Sequence, residues 1–362
     1  MAISLMQPAA IVNLAAAAER SKLADLYTVQ FAASSESFAF LRESGGFTPD
    51  LVVYSLAQKK VTIYRSQRLK VWSLSPNASR DGGFFVIYWK QKTPEDIRSG
   101  KTPVMHLLRC ANATCMAVFD FHGAIQSAID LGNGKVLFVG GVPAIFHRPL
   151  TPDFVSFEKF DFYYRNGPGS MDRLTNWEAA RLGSASLGEG RLVFDFSATP
   201  GKPTPQPIYP LTKSSIWSAA FKSDGSEPQI KLEGDRPFIQ YGRESDTQPS
   251  ISPDGSKTAF NSSSEYIGKE RRYDIVIVDN SSKREVFTIV PGTHTKFSYP
   301  VFVNDDLVRF MGFDGATYSF GQFSLSAKRE EALGRIAVDD LAHAEIVDIP
   351  EIVDVQGQKG GR

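Results

Sequence analysis

The sequence predicts an all-β chain folded as a six-bladed β-propeller of four-stranded blades. Three observations lead there. The composition is rich in aromatic and turn-forming residues. A strand–turn–strand joint is used six times. A second pair of strands follows most of those joints.

Composition sets the class. With 362 residues the chain has enough material for a large core, and although that length also suits two domains, all-β folds often exceed the usual domain size. Hydrophobic residues make up 42% and charged residues 22%, as in ordinary globular proteins. Aromatics reach 12%, with 26 Phe, beside 29 Gly and 21 Pro. Aromatic segments parted by Gly/Pro turns are the composition of strands. The formal net charge is zero, which argues against a general electrostatic hold on nucleic acid. No apolar run reaches the roughly 18 residues of a membrane-spanning helix, so no integral membrane segment is expected.

The joint is a cluster of turn residues followed by a short apolar strand. It recurs in "AASSESFAFLRE", "SPNASRDGGFFVIYW", "LGNGKVLFVGG", "LGEGRLVFDFS", "SPDGSKTAFNS" and "VNDDLVRFMGF". Anchored at Phe38, Phe84, Val136, Leu192, Thr258 and Val308, the copies are 46, 52, 56, 66 and 50 residues apart. That loose period suits propeller blades with added loop length. Further strand pairs follow in "LVVYSLAQKKVTIYR", "LLRCANATCMAVFDF", "YDIVIVDNSSKREVFTIV" and, more weakly, "YSFGQFSLSAKREEALGRI". A lone four-stranded sheet has two faces to bury. Radial stacking buries each face on a neighbour and leaves only short edges. A β-sandwich or two smaller β domains is the competing architecture.

One blade carries a family likeness. Pro249, Ser252, Pro253, Asp254, Gly255 and Phe260, then Tyr273, Ile275, Val278 and Asp279, resemble the WD40-like β-propeller repeat of the TolB type. The likeness covers about 40 residues, one repeat length. It is partial at Ser75, Pro76, Asp81 and Gly82 and degenerate elsewhere, and no Trp-Asp dipeptide occurs. TolB has a separate α/β domain before its propeller, whereas the residues before the first strand pair here are too few for a domain of usual size. The resemblance implies a fold rather than an activity, because propellers host many unrelated functions. The expected organisation is an N-terminal Ala-rich segment over 1–25, signal-like or a short helix, then the propeller over 26–349 and a flexible tail over 350–362. "LYTVQF" or "AEIVDI" is expected to close the ring.

The chemistry-bearing residues give no linked catalytic set. In Asp254-Gly255, Gly supplies positive φ, Asp bonds its own backbone and Pro253 presets the turn, so a structural hairpin is expected. The histidines, His106, His122, His147, His294 and His343, form neither HxxxH nor HxH. There is no GxSxG, no phosphate-binding loop, no GxGxxG opening a helix and no EF-hand pattern. No cofactor or metal is expected. Cys110 and Cys115 suit either a hairpin disulfide or a reduced pair, and by themselves cannot build a zinc site. Asn-x-Ser/Thr triplets at Asn77, Asn112, Asn261 and Asn280 arise readily in Ser-rich turns and do not fix the origin.

Two segments point to binding. His147 to Trp177 is aromatic and carries Arg148, Tyr163, Tyr164, Arg165, Arg173 and Trp177, residue types that dominate binding surfaces. Its alternation also fits one buried strand face, and that is the stronger signal. Ser197 to Leu211 is a proline-rich excursion carrying Tyr209, suited to a stiff spacer or an arm docking on a partner. These features favour a non-catalytic binding or scaffold protein with a protein partner, periplasmic or secreted, with the cytoplasm as the other location. The alternative is a propeller enzyme acting on a glycan, lyase or hydrolase, with its site assembled across blades.

Overall fold

The computed structural model describes residues 31–43, 49–65, 70–78, 82–89, 94–111, 114–148, 151–167, 170–179, 182–196, 215–223, 228–241, 245–267, 270–290, 296–314 and 316–349. The Ala-rich segment, the proline-rich excursion and the tail from 350 lie outside them.

The described residues form antiparallel meanders. The first is β1 (Phe31–Ala33), β2 (Ser37–Glu43), β3 (Pro49–Ser55) and β4 (Lys60–Arg65). The second is β5 (Lys70–Ala78), β6 (Phe84–Trp89), a short helix α1 (Pro94–Arg98), β7 (Met105–Ala111) and β8 (Thr114–Phe121). Next come β9 (Ala124–Gly132), β10 (Lys135–Arg148), β11 (Thr151–Asn166) and β12 (Ser170–Arg173). They are followed by β13 (Leu182–Gly188), β14 (Arg191–Phe196), β15 (Ser215–Lys222) and β16 (Gln229–Leu232). Then come β17 (Ser245–Ile251), β18 (Lys257–Ile267), β19 (Glu270–Asp279) and β20 (Glu285–Ile289). Last are β21 (Lys296–Phe302), β22 (Leu307–Phe313), β23 (Thr317–Ser324) and β24 (Arg329–Ala337), then a 3-10 turn and β25 (Glu345–Asp348).

Each joint anchor read from the sequence falls on the first or second residue of a meander's second strand. The second pairs at β3–β4, β7–β8, β19–β20 and β23–β24 also stand where expected. β9 to β24 form four separate four-stranded sheets. The first two meanders depart from that pattern. They join into one nine-stranded sheet through a single parallel bridge, Ala33 to Asn77, with β25 as an extra strand. "LYTVQF" lies outside the described residues up to Phe31, and "AEIVDI" joins the first meander as expected, though as an added outer strand rather than one of its four. β25 lies parallel to β4, on the outside, because the first meander already supplies four strands of its own.

Burial on both faces fixes how neighbouring sheets pack. All six residues of β6 are buried. Phe85, Ile87 and Trp89 enter a cluster with the third meander, and Phe84, Val86 and Tyr88 a cluster with the first. The last sheet packs back on the first meander. There Phe320 stacks on Phe38 and Tyr54 with centroids 4.7 and 5.2 Å apart, and Phe40 lies 4.6 Å from Tyr318, within the favourable range for aromatic pairs.

Inner strands are tied to one another by small polar side chains. Ser73 Oγ donates to Gln126 O at 3.0 Å, and Ser75 Oγ to Ala128 O at 2.5 Å while accepting from Ala128 N at 3.1 Å. Asn77 donates to Ala185 O at 2.7 Å. Ser186 Oγ accepts from Ile251 N at 3.2 Å, and Ser250 Oγ from Phe302 N at 2.9 Å. Arg309 donates to Ser34 O, reaching from β22 to the end of β1. These bonds satisfy backbone groups that the meanders leave unpaired on their inner edges.

The joint at Asp254 is a tight turn with Gly255 at φ +71°, a conformation that suits glycine. Asp254 accepts from Ser252 Oγ at 2.6 Å and from Ser256 N at 2.9 Å. Neighbouring joints touch. Glu189 N donates to Pro253 O at 2.9 Å, and Asp254 N to Asp305 at 2.8 Å. A Cβ on Gly188 would come within 2.5 Å of Ser252 O, so this close approach needs glycine.

Two outcomes follow. Ser75→Ala strands the N–H and C=O of buried Ala128 and should cost about 1–3 kcal/mol in urea denaturation; an unchanged midpoint would contradict the role given to Ser75. The Ser252 hydroxyl and the Ser256 amide hold the Asp254 carboxyl at about 2, below its ordinary 3.8. A folded value below the unfolded one stabilises fully above the unfolded value and is lost as pH falls through the folded one. The wild-type melting temperature should therefore drop between about pH 4 and pH 2, and Asp254→Ala should flatten that drop; identical slopes would count against it.

Candidate functional site

An open groove of about 610 Å³ lies between the second and third meanders. One wall comes from Phe85 on β6, Arg109 on β7 and Met116 to Val118 on β8. The other comes from the β9–β10 turn with Asp130 and Val136, and from Arg165 and Gly167 at the end of β11. The sequence dictates both walls. Arg109 and Met116 are cross-strand partners, so alternation puts them on one face. Asn133 and Gly134 have φ +54° and +73°, which makes the two-residue loop that an Asn-Gly hairpin favours. That tight turn leaves the space open.

The groove joins an apolar floor to positive charge. Met116 is 55% exposed, unusual for so large an apolar side chain. Arg165 lies 4.9 Å over the Phe119 ring and donates from Nε to Gly167 O at 2.8 Å. Burial lowers the pKa of its guanidinium, because desolvation disfavours the charged form. Asp130 Oδ1 is engaged by Gly132 N at 2.8 Å.

The other residues singled out by the sequence lie elsewhere. Tyr163 sits between Phe121 and Phe138, at 5.1 and 5.4 Å, and burial pushes its phenol pKa up. Tyr164 is buried. Trp177 packs on Phe162 and Phe194, at 5.7 and 5.4 Å. Arg173 binds Asp161, a fully buried carboxylate that also accepts from Thr175 Oγ1 at 2.7 Å and Trp177 N at 2.6 Å. This network fastens the chain after β12 to β11. Arg148 ends β10, with its side chain outside the described set, and Tyr209 lies outside the described residues. Of these residues whose side chains are described, Arg165 alone lines the groove. Phe85, Arg109 and Met116 were not singled out. The signal for Met116 was the uncharged run "TCMAVF" in a strand that ends a sheet.

Cys110 and Cys115 are joined by a disulfide across β7–β8. A second polar group lies between the first two meanders. His106 Nδ1 is 2.7 Å from Asp120, Tyr88 is the cross-strand partner of His106, and Asp50 forms a two-point pair with Arg65 at 2.9 and 2.7 Å. Tyr88, His106 and Asp50 are buried, while their partners Asp120 and Arg65 are partly exposed. Among the described residues no cluster of three or more His, Cys, Asp or Glu is arranged to hold a metal ion. Nor is any helix among them long and apolar enough to cross a membrane.

Stability separates the two arginine settings. Asp161→Ala removes the acceptor of a buried network and should cost about 3–5 kcal/mol. Arg165→Ala, which loses a stacking contact at a half-open site, should cost less than about 1 kcal/mol. Urea denaturation checks both, and comparable losses would place Arg165 in the framework.

No family model matches the sequence, and no curated protein matches it. Solved structures do. TolB from Acinetobacter baumannii aligns at 14% identity and a TM-score of 0.50, over 83% of this chain and 63% of that one. Kuenenia stuttgartiensis hydrazine synthase aligns at 12% identity and a TM-score of 0.51, over 87% of this chain and 46% of that one. The chain thus spans less than two thirds of the length of either. At such identities the likeness concerns fold alone: the chain has a TolB-like β-propeller fold.

Proposed function

We propose that this chain is a six-bladed propeller, over residues 26–349, that binds a protein partner and acts as a scaffold without catalysing a reaction. The six-blade reading is supported by the two four-strand meanders within the nine-stranded sheet and the four sheets after them, together with the aromatic packing of the last sheet on the first meander. Export to the periplasm or cell exterior fits the Cys110–Cys115 bridge, since disulfides persist in oxidising compartments.

The observation that carries the binding reading is the groove. It combines an exposed methionine, an apolar floor and two guanidinium groups at one inter-blade seam. Methionine adapts to varied partners, and arginine is enriched at interface centres. Arg165 is the contact residue assigned here, with Arg109 and Met116 beside it. Tyr163 and Trp177 pack on core rings, and Tyr164 is buried.

A photo-crosslinking residue in place of Met116 tests this reading in cells. The expected result is one discrete protein conjugate, lost on adding Arg165→Glu and absent when the crosslinker replaces Glu330 on β24. Equal conjugates from both positions, or conjugates indifferent to Arg165→Glu, would refute it.

A further inference from the structure

The wall formed by β8 is itself a sheet edge. β8 ends the nine-stranded sheet, and its Thr114–Phe119 stretch carries no charged side chain. Other outer strands are guarded. β12 ends on Arg173, β16 carries Lys231, β20 begins with Glu285, β24 opens Arg329-Glu330-Glu331, and β4 is covered by β25. Charge, cover and bulges are the usual means of keeping an edge from pairing with another chain; β8 has neither charge nor cover along this stretch, and its bulge at Val118 leaves the regular edge at Thr114 to Ala117.

Backbone geometry shows what the edge offers. Cys110 and Cys115 face each other with Cα atoms 4.0 Å apart, the close spacing of a non-hydrogen-bonded antiparallel pair. The peptide groups of Cys115 therefore turn away from β7, and so do those of Ala117 two residues on. Among the described residues no other backbone pairs with them. Thr114 to Ala117, before the bulge at Val118, runs about 13 Å, enough for a short added strand.

Charge selects the occupant. Arg165 faces this edge across the groove; the Asp120 carboxylate favours its charge from a distance but forms no ion pair with it among the described residues. The groove's own acid, Asp130, is turned to the Gly132 amide. A carboxylate from outside would form a charge-assisted pair with Arg165.

We propose that an extended acidic segment of the protein partner adds to β8 as a further strand. Its backbone bonds the outward peptide groups of Cys115 and Ala117, an apolar side chain lies beside Met116, and a carboxylate two residues along the same face meets Arg165. This rests on the reading of the groove as a protein-binding site. Strand addition takes affinity from main-chain bonds and specificity from alternate side chains, which this edge and this groove supply separately.

A fluorescein-labelled heptapeptide, Thr-Val-Thr-Glu-Thr-Val-Thr, puts its Val and Glu on one strand face; this Val-Glu peptide, titrated with the full chain and read by anisotropy, tests the proposal, and its Val-Lys counterpart has Lys in place of Glu. Saturable binding is expected. The same peptide N-methylated at alternate residues should bind at least about tenfold more weakly, since several main-chain bonds are lost. A Val-Lys heptapeptide should be weaker by a similar factor. Ala117→Pro, which removes one outward N–H, should weaken the Val-Glu peptide, and Arg165→Gln should erase its advantage over Val-Lys. Because N-methylation alters only the probe, it holds even where Ala117→Pro disturbs folding. Equal affinity of the methylated and plain peptides overturns strand addition. So does absence of peptide binding while crosslinking at Met116 still yields an Arg165-dependent conjugate, and that pattern leaves the groove reading standing. Loss of both overturns both.

Discussion

Hydroxyl groups on the inner strands hold the molecule together where its sheets converge. Ser75 is fully buried and serves the N–H and the C=O of Ala128 at once. Ser186 and Ser250 each accept a backbone N–H from the next inner strand. The innermost strand of a meander has one edge without a β partner, and buried peptide groups on such an edge need partners. Serine meets that need with a side chain small enough to let strands approach closely. The sheets then diverge outward, and larger side chains fill the widening space, as Phe38, Phe320 and Tyr54 do between the first meander and the last sheet. Loss of a serine bond costs more than the bond alone, because it leaves desolvated groups behind.

The seam between the last sheet and the first meander is built differently. A buried arginine, Arg309, reaches Ser34 O and lies 5.3 Å over the Phe38 ring. Burial lowers its pKa. Its Nε has no hydrogen-bond partner among the described residues. Most of the hold at this seam falls to aromatic stacking, for which the sequence supplies Phe31, Phe38, Phe40, Tyr318 and Phe320 within one cluster. β25 adds cover on the outside by pairing with β4.

Local chemistry explains how far the sequence could be read. The joints were legible because a tight turn demands particular residues. Asp254 and Gly255, or Asn133 and Gly134, mark a hairpin whatever surrounds them. The pairs β11–β12 and β15–β16 were harder to see. β11 spans sixteen residues with only a bulge at Lys159, φ +52°, and no turn, and β16 is only four residues long, so neither shows the strand–turn–strand rhythm. The merging of the first two meanders rests on one bridge, Ala33 to Asn77, and no local pattern encodes a bridge between residues so far apart. The aromatic segment after His147 could be read as surface or as core. Phe160, Phe162 and Tyr164 are buried, while Arg165 at the end of the same strand reaches the groove. A single strand passes from packing to exposure along its length, and alternation does not mark that crossover. Residues such as Arg109 and Met116 become neighbours of Arg165 only through packing between meanders.

The common framework and the one unguarded edge together make the account. The inner strands are bound on both sides, and the outward peptide groups of β8 are open to solvent. Amide hydrogen exchange of the free full-length chain measures both properties in one experiment. The account predicts slow exchange for Ala128, Ile251 and Phe302, whose amides are held by serine or by the ladder, and fast exchange for Cys115 and Ala117 within the otherwise protected β7–β8 hairpin. Protection of Ala117 equal to that of Ala128 would contradict it, because a closed β8 would leave the groove without an edge to offer.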